Sequence, residues 1–438
     1  MKNKIKMRII LIGLGCGTEN ITRESLDALK SADIIIGSAR VLKEIEEIEK
    51  DIKITPERYA AIYPEKILEI LKILNLSRDD NKSNKNICIV YGGDTGFHSG
   101  AGSLIKLLER EKRENKDNKK DFEINYKILP GISTAQVLSA RLGRSWQDWN
   151  FISAHGVECD IIQAVLTGRP AFLLTDKINS PDALCRELAR AGLDNLNIII
   201  AENLGQSDEK IYFMTAGKAA EMKFADLSVM LMEAAPEPVR ISGILDKDFI
   251  RVSDSGIKIP ITKQEVRAVM ISKLAVQYQD IIWDIGAGTG SVGIEMATRA
   301  RRVYAIERRP EALNCIEKNR EKFHAWNLNI IPGQAPEILK ILPAPDAVLI
   351  GGSGGYLRDI LEYIIKIILP QKPDLRICIS AITIETVTES LEFLKILEES
   401  GFETEVTQIS ASHSRVTPSG SHMMLAANPV YIILSRRV

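Results

Sequence analysis

The sequence of 438 residues is poor in several things, and each shortage closes off a class of function. Cysteine is sparse and scattered: Cys16, Cys88, Cys159, Cys185, Cys315 and Cys378 form no CxxC pair, and the five histidines do not cluster. This leaves no disulfide framework and no zinc-ligand spacing, so no metal is expected and the chain reads as suited to a reducing cytosol. An excess of one charge is also lacking. The 57 lysines and arginines against 58 aspartates and glutamates give a formal net charge of −1, which argues against nucleic acid as a partner. Long apolar runs are missing too. The longest, such as YIIKIIL, are core-sized, so no membrane span is expected. The opening MKNKIKMRIILIGLGCGTEN has the lysines and apolar run of a secretion signal. Its run is short, is broken by glycine, and meets Glu19 where a small-residue cleavage site would stand. It reads as a first buried strand of a cytoplasmic protein.

What is present is the ordinary balance of a globular chain, 45% hydrophobic and 26% charged, at a length that suggests two or three domains. Residues 8–13, 33–37 and 87–91 read as short buried strands, separated by helical stretches such as ITRESLDALKSA with Thr22 as N-cap. That alternation argues for a parallel α/β architecture. The mixed-charge run at 109–121 reads as a helix end and loop dividing the first half into sub-lobes of about 1–125 and 126–238. Strands follow in YKILPGIST, AFLLT, IIIAENLG, YFMTA and LSVMLMEA. The prolines of APEPVR (235–240) mark a domain boundary. Beyond it, a helix over 261–279, the strands IIWDI, RVYAIE, LNIIPG, DAVLIGG and RICISA, and a final hairpin containing SGSHMM read as one doubly wound unit over 239–438.

The second unit carries WDIGAGTG at 283–290, with Asp284, Gly286, Gly288 and Gly290 between a strand and a helix. A dinucleotide fingerprint would want its third glycine one place later, where Ser291 stands, and a triphosphate loop would want a lysine. About 17 residues past Gly290, the next strand ends in Glu307, the place for an acid that accepts from two ribose hydroxyls. S-adenosylmethionine has no phosphate, so the glycines would serve close backbone approach, and the helix N-terminus would favour its carboxylate. Spacing favours this cofactor over a dinucleotide. A ligand-free strand-to-helix turn is the plain alternative.

PITKQEVR (260–267), WDIGAGTGSVGIE (283–295), AIER (305–308), GQAPE (333–337) and GGSGG (351–355) resemble the decarboxylating precorrin methyltransferases of cobalamin (vitamin B12) synthesis, across residues 241–438. The resemblance implies a Rossmann-like, class I S-adenosylmethionine-dependent methyltransferase fold. It implies a cofactor site lined by Thr262, the loop of Asp284, Gly286, Ala287, Gly288, Thr289 and Gly290, Glu307, Gln334 and Ala335. In the first half, IGLGCG (12–17), YGGDTGF (91–97), LPGISTAQ (129–136), SAHG (153–156) and AENLG (201–205) resemble the tetrapyrrole methylase superfamily, across residues 7–235. That implies two α/β lobes with S-adenosylmethionine folded in the cleft between them. Gly93 and Asp94 would lie near the methionine end, Ser133, Thr134, Ala154 and His155 near the adenosine, and Gly13, Gly15 and Phe97 would also belong to the cofactor site. Cys16 stands where many members have proline, and a threonine-glycine pair precedes Phe97. Each residue also has a plainer reading: Asp94 as a cap for a helix near Ser99, His155 as a core histidine, Trp146 and Trp149 as packing, and Arg267 as half of a helical ion pair.

Two methylase folds in one chain imply two methylations of one precorrin or cobalt-precorrin, at C5 by the first half and at C15, with decarboxylation of the C12 acetate, by the second. Such transfer needs positioning more than acid–base work. Glu265 is the candidate general acid for decarboxylation, on condition that burial holds it protonated. Arg240, Arg267 and Arg415 are candidates for the substrate's carboxylates, and Gly352 and Ser353 for admitting the flat ring. A homo-oligomer is expected. The rival readings are an RNA- or protein-modifying methyltransferase and a C-terminal enzyme joined to an inactive scaffold.

Overall fold

The computed structural model describes residues 7–50, 56–76, 85–117, 124–154, 159–237, 239 and 243–437. The chain forms two compact units. One is Met1–Cys159, Arg169–Arg186 and Leu196–Glu233, and the other is Asp160–Gly168, Glu187–Asn195 and Ala234–Val438.

The first unit holds two five-stranded sheets. Strands β1 (Met7–Gly13), β2 (Ile34–Gly37), β3 (Glu57–Ala60), β4 (Asn86–Tyr91) and β5 (Ile124–Leu129) lie in the order β3-β2-β4-β1-β5. All their pairings are parallel. Strand β1 shows why its run is apolar without alternation. Ile9 and Leu11 enter one core cluster while Ile10 and Ile12 enter another, so both faces of the sheet are covered. Thr22 caps the helix Arg23–Lys30 by accepting from the Ser25 amide at 3.2 Å. The charged run after residue 109 is helical as far as Asp117, as part of the helix Ala101–Asp117. Strand β3 was not foreseen. It reads ERYA, is largely exposed, and has no apolar run to announce it.

The second sheet comprises β6 (Asn150–Ser153), β7 (Ala171–Leu174), β8 (Asn197–Glu202), β9 (Lys210–Thr215) and β10 (Ser228–Met232), in the order β6-β7-β10-β8-β9. The parallel expectation fails here. Only β6 and β7 pair in parallel, and the other three pairings are antiparallel. An apolar run does not encode strand direction; connection length does. The stretch between β8 and β9, residues 203–209, is too short for a crossover helix.

The second unit is built on β11 (Ile281–Ile285), β12 (Arg302–Glu307), β13 (Leu328–Pro332), β14 (Ala347–Ile350), β15 (Arg376–Ala381), β16 (Glu403–Ile409), β17 (Ser412–Val416), β18 (His422–Ala426) and β19 (Val430–Arg436). The main sheet has the order β13-β12-β11-β14-β15-β19-β16. Its first five strands are parallel, and β19 runs antiparallel to both its neighbours. The chain moves outward from β11 to β13 on one side and from β14 to β15 on the other. The crevice beyond the C-terminal ends of β11 and β14 is therefore the place where open α/β sheets take ligands. The expected helix at 261–279 is shorter, Gln264–Leu274. The terminal hairpin is β17–β18, and β19 leaves it to enter the main sheet. Among the described residues no helix is long and apolar enough to cross a membrane.

Candidate functional site

In the second unit, β11 ends in a loop where side chains are excluded. A Cβ on Gly286, at φ 73°, would stand 2.1 Å from the Gly352 carbonyl oxygen. The Gly286 and Ala287 amides donate to the Ile306 carbonyl at 2.9 and 3.1 Å, tying the loop to β12. Gly290, at φ 77°, opens the helix Ser291–Ala297. At the end of β12, Glu307 is 5% exposed. Its Oε2 accepts from the Gly288 amide at 3.0 Å, and its Oε1 accepts from the Arg308 and Arg309 amides at 2.9 and 3.0 Å. The Arg309 guanidinium adds contacts at 3.3 and 3.5 Å. A carboxylate held by three amides has one fixed orientation.

A cavity of about 230 Å³ opens beside it. Six of the expected residues line it: Gly286, Glu307, Gln334, Ala335, Gly352 and Ser353. Arg308, Arg309, Gly333 and Gly354 line it as well. Arg308 crosses the rim, donating to Gln334 Oε1 at 3.0 Å. Arg308 closes the AIER motif and Arg309 follows it, so adjacency to Glu307 was the signal that could have found them.

Other expected residues support the loop from behind. Ala287 belongs to the core cluster on the loop's far side. Thr289 is 1% exposed, and its carbonyl accepts from Asn319 Nδ2 at 3.0 Å. Thr262 does not line the cavity, but its segment covers the loop: the Pro260 carbonyl oxygen lies 3.7 Å from where a Gly288 Cβ would stand. Asp284 is 2% exposed beneath the loop, with its Oδ2 lacking a hydrogen-bond partner and only 2.7 Å from where a Gly293 Cβ would be. Burial pushes its carboxyl up to about 7, the Gly293 amide works against this, and the Glu307 charge adds to it.

Three of the substrate and acid candidates are corrected. Glu265 is exposed, with His413 Nε2 at 3.7 Å, so the burial that would keep it protonated is absent. Arg267 is wholly buried and does not line this cavity; Glu295 and Asp246 take its charge at 2.6 and 3.2 Å. Arg415 sits on the exposed hairpin strand β17, in register with Met423 of β18, and does not line the cavity. Arg240 and His155 lie outside the described residues.

In the first unit the site is drawn together from several loops. Gly15 and Gly93 exchange amide–carbonyl bonds at 3.1 and 2.9 Å, joining the ends of β1 and β4. Gly131, after β5, packs so closely that a Cβ there would lie 2.2 Å from the Gly93 carbonyl oxygen; one on Gly13 would lie 2.6 Å from the Gly131 nitrogen. Asp94 braces this junction and does not cap a helix. Its Oδ1 accepts from the Gly96 amide at 2.8 Å and its Oδ2 from the Gly131 amide at 3.0 Å. Ser133 is the N-cap of the helix Thr134–Leu142, in a reciprocal capping box with Gln136.

These loops border a cavity of about 160 Å³ lined by Gly15, Gly93, Asp94, Phe97, Ser133 and Thr134. Cys16, Arg40, His98, Leu174, Leu204 and Gln206 complete much of its wall. Gly13 and Ala154 stay behind it. Ala154 is fully buried, with its amide bonded to the Leu174 carbonyl at 2.9 Å. The Cys16 thiol donates to the Leu204 carbonyl at 2.9 Å, and burial, with the nearby Glu209 and Glu44 carboxylates, pushes it up to about 11. It is a neutral bridge between the loops of the two sheets. Trp149 stacks on Phe172 at 5.9 Å, which is packing, as does the edge-on contact of Phe97 with Phe151 at 5.4 Å.

Residues 257–433 match the family model described as precorrin methyltransferase domain, and residues 8–220 match that of the tetrapyrrole (corrin/porphyrin) methylases. A protein of Methanothermobacter thermautotrophicus, described as a probable cobalt-precorrin-6B C(15)-methyltransferase (decarboxylating), is 40% identical over 191 residues, covering 43% of this chain and 94% of that protein. The chain belongs to the precorrin methyltransferase family. A second relative of this family, the precorrin-6Y C(5,15)-methyltransferase (decarboxylating) of a Sinorhizobium species, is 33% identical over 233 residues, 52% of this chain and 56% of that protein. A crystal structure described as precorrin-6Y C5,15-methyltransferase from Geobacter metallireducens is 39% identical, with 46% of this chain and 100% of that one covered and a TM-score of 0.40.

Proposed function

We propose that the chain is a bifunctional S-adenosylmethionine-dependent methyltransferase of cobalamin biosynthesis. Its first half, 1–238, methylates a precorrin or cobalt-precorrin at C5. Its second half, 239–438, methylates C15 and decarboxylates the C12 acetate. The observation that carries this reading is the pair of glycine-walled cavities, one in each unit, one lined within and the other lined mainly within the span of a different methyltransferase family model. The names of the two relatives, one acting at C15 and one at C5 and C15, agree with it. Strand order β13-β12-β11-β14-β15-β19-β16 supports a Rossmann-like, class I fold for the second half, and the two sheets around one cavity support a two-lobed tetrapyrrole methylase fold for the first.

The residues fit the cofactor. At Gly286 the backbone leaves no room for a side chain, Glu307 presents a fixed, buried carboxylate, and no lysine stands in the loop for a phosphate. Bound S-adenosylmethionine supplies an electrophilic methyl group on a sulfonium. What the chain supplies is orientation: Glu307 fixes one side of the cavity, and Gly286, Gly352 and Gly354 keep the wall beside it free of bulk. Mostly buried cysteines with no CxxC pair support a cytoplasmic site of action. Exposed Val416, Met423, Met424 and Leu425 on the hairpin β17–β18 support a homo-oligomer.

The test is to weigh the products formed by the full chain from S-adenosylmethionine and precorrin-6Y, and in parallel from the cobalt-containing ring. Two methyl groups gained and one carbon dioxide lost are expected. At cofactor concentrations that fill only the N-terminal site, Glu307→Ala should leave one methyl gained and no carbon dioxide lost. An unchanged macrocycle mass while the cofactor binds would sink the assignment, and the same assay on RNA would then decide for the rival reading.

A further inference from the structure

Arg267 is a costly residue for a core. It is fully buried, with its guanidinium 4.9 Å from the centre of the Phe249 ring, and it lines neither of the two cavities described above. Burying such a pair is seldom a gain in stability over apolar packing, so its geometry is the more informative feature. Every arm of the guanidinium is used. Nε donates to Glu295 Oε1 at 2.6 Å, one terminal nitrogen donates to the Thr262 carbonyl at 2.6 Å and to Asp246, and the other donates to the Ile244 carbonyl. Glu295 in turn accepts from the Ile244 and Gly243 amides at 3.1 and 3.3 Å.

Glu295 belongs to the helix Ser291–Ala297, which begins at Gly290 of the glycine loop. Thr262 ends the segment whose Pro260 carbonyl covers Gly288, the residue whose amide holds Glu307. Ile261 packs against the same cluster as Ala287. One fork therefore joins the segment over the glycine loop to the helix behind that loop. We infer that Arg267 is a positioning residue: it fixes the segment Pro260 to Thr262 over the glycine loop at the separation the cofactor requires. This rests on the proposed use of the loop for S-adenosylmethionine.

Lysine at this position keeps a charge beside Glu295, but it has no planar fork with which to hold the Thr262 and Ile244 carbonyls together. The experiment is calorimetric titration of the full chain with S-adenosylmethionine, for the wild type, R267K and E307A, with a melting curve for each. The wild type should bind at two sites, and E307A identifies the C-terminal one by weakening it. R267K should weaken that same site about tenfold, the worth of one charge-assisted hydrogen bond, and leave the other site unchanged as an internal reference. In the C15 reaction its KM for the cofactor should rise by the same factor while kcat holds within about twofold. Unchanged affinity in folded R267K overturns the inference. So does a fractional C-terminal site of wild-type affinity, which is the mark of a purely structural role. If R267K does not fold, E295Q keeps the volume and one acceptor for Arg267 and carries the same expectation. A wild type that binds no cofactor defeats the functional reading itself, a result distinct from either.

Discussion

In the second half of the chain, the candidate site stands at the ends of four neighbouring parallel strands, β13, β12, β11 and β14, and each contributes residues at or just past its C-terminal end. In the first half, a cavity of similar kind takes its wall from two sheets, with Gly15, Asp94 and Ser133 on the loops of one and, from the other, Leu174 at the end of β7 and Leu204 and Gln206 on a loop. The glycines differ accordingly. Gly286 and Gly352 are in contact beside the cavity, at adjacent strand ends, whereas Gly17 and Gly205 bring the loops of separate sheets together, a Cβ on Gly17 standing 1.9 Å from the Gly205 carbonyl oxygen. A sheet that carries its own site needs glycine for one turn. A site shared by two sheets needs glycine for their meeting.

The sharpest way to break this comparison is to fill both contacts. G286V combines a β-branched side chain with a positive φ and a backbone clash, and it is expected to abolish C-terminal cofactor binding, a loss of about 100-fold or more, while the other site titrates normally. G17V should do the reverse. Loss of both sites in either variant, read by calorimetry, would mean that the two are not independent. Next in size is E307A, which removes the fixed acid and should weaken the C-terminal site about 10- to 100-fold. D94N follows. One oxygen of Asp94 becomes an amide facing either the Gly96 or the Gly131 amide, and the N-terminal site should weaken about tenfold in the same titration.

The smallest effect is one of pH. The Asp284 carboxyl, raised from 3.8 to about 7, holds its proton longer in the folded chain than in the unfolded one. Its contribution to stability is present in full below about 4 and is lost as pH rises through about 7. Urea midpoints at pH 5 and pH 8 should therefore differ more for the wild type than for D284N, and equal differences would refute the assignment.

The contrast between the halves also explains what could be read from sequence. WDIGAGTG and Glu307 are legible because strand, turn, helix and next strand follow in order, and chemistry at successive strand ends is written in contiguous motifs. Arg40 and Leu174 on the first-half cavity belong to no motif, and only the meeting of two sheets brings them there. Arg267 misled for the same reason. Helical spacing suggested a local pair, yet its partners Asp246 and Glu295 come from before and well after its helix. The direction of β10 was hidden because apolar runs fix burial and not orientation. Glu265 failed on exposure, which its neighbours in sequence do not determine.

The central claim is that the chain carries two separate cofactor sites. The most direct measurement is the number of S-adenosylmethionine molecules bound per full-length chain at saturation, for the wild type and for G286V and G17V. Two for the wild type and one for each variant, with a different site surviving in each, is the predicted result. A single molecule bound by the wild type, or one site that survives both substitutions, would contradict it.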